Sequence, residues 1–538
     1  MNPAMEFARA LVAHLAAGDV RDVVLCPGSR SGPLAHALAE AGSPAPPPGA
    51  PHIRLHVRTD ERAAGFLALG LAIARGSAAV VTTSGTAVGN LLPAVMEAHH
   101  SGVRLVAVTA DRPFDLRATG ANQTTDQRRI FGSFVRHAAD LLAPGPGRDL
   151  AAEAGAAVAT AIAHSAGALP AEGSVGTGPV HLNVQFADPL GPDRGPWPRV
   201  EPAALEFAAE RDAPALPQVE RGLVVAGDRA GSAAATIAQA RGWPLLAEPT
   251  SGARHGPSVV PDYARFVATD LGRALAAEVE FVLLVGRATL TRGVRAIIEG
   301  APRLWVARHG APWREAPVHA ELVVPDVPFG WVRTAGAAPT SAWVERWVGA
   351  AEPARWPAWS VESVAAEVIA SAGDGPLVVG SSRAIRAVDA VMPAGFATAN
   401  RVVVANRGLA GIDGTLSTAL GIALGAEANA DGYVTALVGD LTFLHDAGGL
   451  LVGPRERRPS ARIVVLNDGG GSIFGLLEHA ESEPGAFERV FTTPHGADLA
   501  AISHGFGASH TRVRDVAALR TALRPEPVGI EVVEAMLA

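Results

Sequence analysis

Short apolar runs rich in valine recur along this chain, and each ends abruptly in small or polar residues. Most are followed by a stretch of helix length. Residues 5–18 have amphipathic helix spacing, and Asp22–Leu25 then forms a strand that breaks into Cys26-Pro27-Gly28-Ser29-Arg30-Ser31. A Pro/Gly loop (44–51) precedes a strand at Ile53–Val57. Thr59-Asp60-Glu61-Arg62 starts a helix that is apolar or small through Ile73. Ala78–Val81 is the next strand. Its turn, Thr82–Ala87, leads into a helix running through Leu91 to His99, and strands follow at Leu105–Val108 and Val180–Val184. The same cadence gives strands at Gly222–Ala226, Pro244–Ala247, Phe281–Val285 and Arg303–Val306. Later strands fall at Pro376–Val379, Val402–Val404, around Val438, at Ile463–Leu466 and at Ile530–Val533. Strand, polar turn and helix repeated in this way predict an α/β chain of doubly wound parallel sheets covered on both faces. The Pro- and Gly-rich stretch Pro189–Pro202 and the Trp356-Pro357 break divide it into regions 1–190, 200–350 and 358–538. The first and third share a cadence, as two related layers would.

Length agrees with this division, since 538 residues exceed what one core holds. The formal net charge of −8 leaves no basic footprint for nucleic acid. All 45 basic residues are arginine, so every cationic anion-binder here is Arg or His, and Arg grips carboxylates with two parallel bonds. The single cysteine, Cys26, excludes an intrachain disulfide. No signal-peptide pattern and no membrane-length apolar run are present, so the expected location is the cytoplasm.

The stretch with the most chemistry runs from Val438 to Phe474. One apolar run ends in Gly439-Asp440-Leu441 and the next in Asn467-Asp468-Gly469-Gly470-Gly471, with about one crossover helix between them. An acid and an amide oxygen at neighbouring strand ends suit Mg²⁺, which takes few protein carboxylates and completes its shell with substrate phosphates. The glycines let backbone approach a diphosphate closely. Two ordinary turns are the plainer reading, and the combined string makes it the weaker one. Upstream, Ser29, Arg30 and Ser31 stand at a helix start, where a capped turn and an anion site are both open readings. Glu61, at the start of an apolar helix, is either a partner for the helix dipole or a proton-holding group. Arg30, Arg112, Asn122, Gln123, Arg292, Ser382, Arg386 and Arg407 follow predicted strand ends. Singly each arginine is a surface residue. Their recurrence at one kind of position suggests a basin for a ligand with several carboxylates or phosphates.

Gly439-Asp440 followed by Asn467 resembles the cofactor motif of thiamine diphosphate-dependent enzymes. Several further strings are similar to the menaquinone-pathway 2-succinyl-5-enolpyruvyl-6-hydroxy-3-cyclohexene-1-carboxylate synthase family. These are Pro27–Ser31, Asp60–Arg62, Thr83–Ala87, Thr109–Pro113, Gly120–Gln123, Asn406–Gly408, Gly411–Gly414 and Ile473-Phe474, and they span both outer regions. The central region resembles the family only at Thr289–Arg292, with Thr291 standing where some members carry lysine.

The resemblance implies a pyrimidine-binding region (1–190), a central region (200–350) and a diphosphate-binding region (358–538). It implies thiamine diphosphate with Mg²⁺, or Mn²⁺ in its place, the metal held by Asp440, Asn467 and the Gly469 carbonyl. Glu61 is the implied activating acid and Ile412 the apolar prop that bends the cofactor. Ser84, Gly85, Ser382, Gly439, Leu441, Gly470 and Ile473 are the implied remaining cofactor contacts. Arg30, Arg112, Asn122, Gln123, Arg292, Ser382, Arg386 and Arg407 are implied to bind substrate, with Ile473, Phe474 and Leu477 as an apolar wall. Asn467-Asp468 departs from the superfamily's usual Asn-Asn ending and is similar to what this family tolerates. The implied reaction is decarboxylation of 2-oxoglutarate and conjugate addition of the resulting carbanion to isochorismate. The implied assembly is a homodimer or homotetramer with sites at subunit interfaces.

Three other readings compete. Another thiamine-dependent carboligase or 2-oxoacid decarboxylase needs fewer arginines and lacks the Gly120–Gln123 string. A nicotinamide-dependent dehydrogenase needs a Gly-x-Gly-x-x-Gly turn, which is not found. A non-catalytic cofactor-binding relative has no need for Glu61, Asp440 and Asn467 together.

Overall fold

The structure is a computed structural model that describes residues 2–145, 147–169, 176–202, 213–308, 317, 319–333, 341–351, 354–397, 401–426 and 433–537. Three all-parallel sheets organise it. The first comprises β1 (Asp22–Leu25), β2 (Arg54–Val57), β3 (Ala78–Thr82), β4 (Leu105–Asp111), β5 (Ala138–Leu141) and β6 (Val180–Gln185), ordered β2-β1-β3-β4-β6-β5. The second comprises β7 (Gly222–Ala226), β8 (Leu245–Ala247), β9 (Phe281–Val285), β10 (Leu304–Ala307) and β11 (Leu322–Val324), ordered β11-β10-β9-β7-β8. The third comprises β12 (Leu377–Val379), β13 (Val403–Val404), β14 (Val434–Gly439), β15 (Ala461–Asn467), β16 (Ser509–Val513) and β17 (Ile530–Met536), ordered β13-β12-β14-β15-β17-β16. Numbered from its own first strand, the third sheet repeats the order of the first. That identity is the structural content of their shared cadence.

The chain packs into two compact units. One comprises Met1–Ala208 with Leu416–Gly425 and Asp446–Pro459; the other comprises Ala209–Thr415, Ala426–His445 and Ser460–Ala538. The first unit holds the first sheet, and the second unit holds the other two. Central strands such as β3, β4, β7 and β9 are buried along their whole length, which is why they read as continuous apolar runs.

Within the first unit, the helix Glu61–Arg75 crosses the segment Leu416–Gly425 through glycine. A Cβ on Gly70 would stand 2.1 Å from the Thr418 carbonyl oxygen, and one on Gly421 would stand 2.2 Å from that of Leu67. Asp60 caps the helix by accepting the Ala63 N–H at 3.0 Å.

Three expectations change. The helix expected to run on from the Thr82–Ala87 turn is two helices, Thr86–Gly89 and Leu92–Ser101. Pro93 has no N–H to give to Gly89, and its ring clashes there. The Pro189–Pro202 stretch has no regular structure but is folded onto the first unit. Trp197 is buried and donates to Glu40 at 3.0 Å, and Asp193 accepts from buried Arg9 at 2.7 Å. Strands β5, β11 and β16 went unpredicted. Each is partly exposed at a sheet edge, so its apolar run is broken.

Candidate active site

In an open parallel sheet, ligands bind beyond the strand carboxyl ends where the strand order reverses direction. In the third sheet that switch point lies between β12 and β14. A cavity of about 160 Å³ opens there, lined by Ser381–Ala384 after β12 and by Gly439–Thr442 at the end of β14. Ile412, Asp468, Gly470, Ile473 and Phe474 complete much of its wall. Pockets that bury a whole drug-sized ligand run to roughly 300–1,000 Å³, so this one takes one end of such a molecule.

Sheet register puts the two metal candidates side by side. Gly439 pairs with Leu466, so Asp440 and Asn467 leave the sheet as neighbours. Asp440 is 2% exposed. Burial, and after it the Asp468 carboxylate, raises its pKa, while His495 and the Leu441 N–H oppose the shift. His495 Nδ1 accepts the Ala497 N–H at 3.0 Å, which leaves the ring proton on Nε2, 3.3 Å from Asp440 Oδ2. The Asn467 amide is fixed at both ends. Its Nδ2 donates to Glu534 Oε1 at 2.6 Å, and its Oδ1 accepts the Gly469 N–H at 3.1 Å.

These residues fit a diphosphate held through a hard cation. A carboxylate that burial and a like charge both disfavour is stabilised by a divalent ion. The amide presents oxygen rather than nitrogen. The Ser381 hydroxyl is buried on the cavity wall without a hydrogen-bond partner among the described residues. Gly470 (φ +149°) runs so close to the 492–493 backbone that a Cβ would lie 2.2 Å from the Thr492 oxygen. Among the described residues no group of three or more His, Cys, Asp or Glu side chains is placed to hold a metal. One carboxylate, one amide oxygen and one carbonyl need no such group.

Seven of the remaining expected residues, Ser382, Ile412, Gly439, Leu441, Gly470, Ile473 and Phe474, line this cavity. Arg386 donates to the Ser382 carbonyl at 2.8 Å, and its pKa is lowered by burial and then by Arg407. Arg407, nearly fully buried, donates to Thr289 Oγ1 at 2.6 Å. Thr289 and Leu290 in turn give their N–H groups to buried Glu248 at 2.7 and 2.8 Å. Burial pushes the Glu248 carboxyl up to about 8 against those two bonds. Leu477 follows Phe474 by one short turn outside the lining. Arg292 stands apart: its side chain is 82% exposed and meets Glu478 at 3.3 Å.

The first unit gathers a second set at its own switch point, between β1 and β3. Arg112 Nη1 donates to Ser84 Oγ at 2.5 Å and to the Gln123 carbonyl at 2.8 Å; Gln123 Nε2 donates to the Ser84 carbonyl at 2.9 Å. Arg30 donates to the Phe186 carbonyl at 2.8 Å. The Arg112 pKa is lowered by burial and then by Arg30, so the two guanidinium groups share one neighbourhood. Asn122 is exposed beside Gln123. Glu61, half-buried, opens its helix at the same sheet edge, where it and Asp60 add to the burial that pushes the Cys26 thiol up to about 12.

Beneath this set lies a buried network. Gly85 (φ +83°) gives its N–H to Gln127 Oε1 at 2.9 Å. Gln127 donates to Asn183 Oδ1 at 2.8 Å, and Asn183 Nδ2 donates to Asp111 and Asp140, which Arg117 bridges. Burial raises the Asp140 pKa, but Arg117, Asn183 and Gln185 together bring it below its ordinary value.

Sequence reasoning passed over Gln127, Asn183, Arg383, His495 and Glu534. Arg383 donates to Ser472 Oγ at 2.9 Å and lies 3.5 Å from Asp468 Oδ2 on the cavity wall. It follows the Pro376–Val379 run by four residues, between Ser382 and Arg386, and was legible there. Glu534, like Glu531, was legible as a charge among the apolar residues of its strand. His495 carried no local signal.

This fold and this site define a thiamine pyrophosphate enzyme. The family described as "Thiamine pyrophosphate enzyme, N-terminal TPP binding domain" matches residues 5–130, and "Thiamine pyrophosphate enzyme, C-terminal TPP binding domain" matches residues 390–527. Benzoylformate decarboxylase from Polynucleobacter necessarius superposes with TM-score 0.74 at 15% identity, covering 100% of this chain and 99% of that one. A putative thiamin diphosphate-dependent enzyme from Mycobacterium smegmatis gives 0.69 at 20% identity, covering 98% of each. Full-length sequence relatives are more specific. The 2-succinyl-5-enolpyruvyl-6-hydroxy-3-cyclohexene-1-carboxylate synthase of Kineococcus radiotolerans is 45% identical over 100% of this chain and 96% of its own. That of Arthrobacter sp. (strain FB24) is 43% identical over 99% and 89%. The chain belongs to the 2-succinyl-5-enolpyruvyl-6-hydroxy-3-cyclohexene-1-carboxylate synthase family.

Proposed function

We propose that this protein removes CO₂ from 2-oxoglutarate and adds the remaining four-carbon unit to isochorismate, giving 2-succinyl-5-enolpyruvyl-6-hydroxy-3-cyclohexene-1-carboxylate for menaquinone synthesis. The observation that carries this reading is a cavity lined by Asp440, with Asn467 beside that residue in register and Arg386 and Arg407 in the same unit, in a chain 45% identical to a synthase of that name. Thiamine diphosphate, when bound, supplies an acidic carbon nucleophile and an electron sink. Asp440, Asn467 and the Gly469 carbonyl hold Mg²⁺ or Mn²⁺. Gly439, Leu441, Gly470 and Ser382 take the diphosphate end, and Ile412 and Ile473 give apolar support. Glu61, with Ser84 and Gly85 nearby, holds a proton at its carboxyl for the cofactor's pyrimidine ring.

Both substrates are dicarboxylates, so cationic side chains in a partly desolvated site bind and orient them. Arg30, Arg112, Asn122 and Gln123 supply one set; Arg386, Arg407, Arg292 and Ser382 supply the other. Phe474 and Leu477 keep water from the reacting carbons. We assign region 1–190 to the pyrimidine end, 358–538 to the diphosphate end, and 200–350 to a central domain. The proposed assembly is a homodimer or homotetramer, with Glu61 of one subunit and Asp440 of the next serving one cofactor. Among the described residues no helix is long and apolar enough to cross a membrane, and the proposed location is the cytoplasm.

The test is CO₂ release from 2-oxoglutarate by purified protein with thiamine diphosphate and Mg²⁺, with and without isochorismate. The expected result is sustained turnover only with all components, with isochorismate consumed in step. Release indifferent to isochorismate would demote the protein to a 2-oxoacid decarboxylase. Glu61→Gln is expected to keep cofactor affinity while losing turnover. Full turnover in that variant refutes the role given to Glu61.

A further inference from the structure

Glu534 is a buried carboxylate on β17, 1% exposed and absent from every role assigned so far. Pairing of Val465 with Glu534 and of Asn467 with Met536 puts Glu534 and Asn467 on one face of the sheet, two residues apart in register. Both Glu534 oxygens are used. Oε1 accepts the Asn467 Nδ2–H at 2.6 Å, and Oε2 accepts from Arg512 Nε at 2.8 Å and His510 Nε2 at 3.0 Å. A carboxylate has no proton to give, so the atom it faces on Asn467 must be the donor nitrogen. The amide oxygen therefore points the other way, toward Gly469 and the strand end occupied by Asp440.

We propose that Glu534 is a positioning residue for the metal site: by holding Asn467 Nδ2 it forces the Asn467 oxygen to face the divalent cation. This rests on the assignment of Asn467 as a metal ligand. An unrestrained amide presents oxygen or nitrogen with similar ease, and only oxygen binds a hard cation. Outer hydrogen bonds of this kind typically carry about 10- to 100-fold in metal affinity.

The arrangement makes a reciprocal prediction. In Glu534→Gln the side-chain oxygen turns to the side with two donors, the Arg512 guanidinium and His510, and its amide N–H₂ turns to Asn467. Two facing N–H₂ groups repel. Asn467 flips, and nitrogen meets the cation. Replacing Asn467 by Asp removes that conflict, because one carboxylate oxygen accepts from the glutamine and the other faces the metal.

The experiment is Mn²⁺ binding to full-length protein saturated with thiamine diphosphate, read as free Mn²⁺ by electron paramagnetic resonance. Thermal midpoints are measured without metal. E534Q is expected to bind Mn²⁺ about 10- to 100-fold more weakly with a little-changed midpoint. The double variant N467D/E534Q is expected to recover most of that loss. Unchanged affinity in E534Q overturns the proposal. So does a loss that the double variant fails to recover, since a role confined to strand packing predicts that. Wild-type protein that takes up no Mn²⁺ overturns the metal assignment itself, and this inference with it.

Discussion

Gly470→Ala concentrates the backbone argument for the diphosphate cradle in one substitution. Gly470 has φ +149°, in a region that L-residues enter at a cost of about 1–3 kcal/mol. A Cβ there would sit 2.2 Å from the Thr492 carbonyl oxygen, about 1 Å inside normal contact, and that oxygen belongs to backbone. Relieving the overlap costs a further ~1–3 kcal/mol by analogy with overpacked cores. The same oxygen accepts the Gly471 N–H at 2.6 Å, so moving it stretches a bond with a net worth of about 1 kcal/mol. The sum is about 3–7 kcal/mol, and every 1.4 kcal/mol is tenfold in affinity. If only half falls on the cofactor-competent loop, affinity for thiamine diphosphate with Mg²⁺ drops by at least tenfold. Gly469→Ala is the internal control. Gly469 also has positive φ (+81°), but a Cβ there meets nothing within 4 Å. Its cost is the left-handed backbone alone, about 1–2 kcal/mol. Isothermal titration of the cofactor into each variant, with thermal unfolding of the cofactor-free protein alongside, separates loop damage from global damage. G470A binding within threefold of wild type at an unchanged midpoint would refute the close-approach reasoning.

Two further predictions concern buried polar groups. Glu248 has its carboxyl raised from 4.5 to about 8, so between those pH values the folded state holds a proton that the unfolded state has released. Stability then falls as pH rises through that window. Glu248→Gln keeps an acceptor for Thr289 and Leu290 and should gain on wild type from pH 5 to pH 8 in urea denaturation; parallel pH curves would rule this out. Gln127→Ala orphans the buried Gly85 N–H, at about 1–3 kcal/mol, and takes one of two donors from Asn183 Oδ1, which keeps the Thr109 hydroxyl at 2.9 Å. A clear drop in midpoint is expected, and an unchanged one would mean that water replaces the amide.

Much of the fold was legible because buried parallel strands carry apolar residues on both faces. Asp22–Leu25, Gly222–Ala226 and Phe281–Val285 were bounded as found. The related cadence of the outer regions was legible too, and it is the shared strand order of the first and third sheets. Strand ends mark themselves, since an apolar run breaking into Gly-Asp or Asn-Asp-Gly is visible locally. Asp440, Asn467, Ser382 and Gly470 were therefore readable as candidates from residue type alone.

What the sequence withheld depends on register and on contacts between distant segments. Edge strands such as β5 and β16 are half solvated, and their pattern dissolves. That Asp440 and Asn467 emerge side by side follows from Gly439 pairing with Leu466. That the Asn467 oxygen is the free end follows from Glu534, 67 residues away. His495 reaches Asp440 across 55 residues, and Gln127 reaches Gly85 across 42. Hydrogen bonds of this reach have no period and no spacing rule. Residue type determined which side chains could do the chemistry, and only the packed sheets decided which of them meet and which atom each one presents.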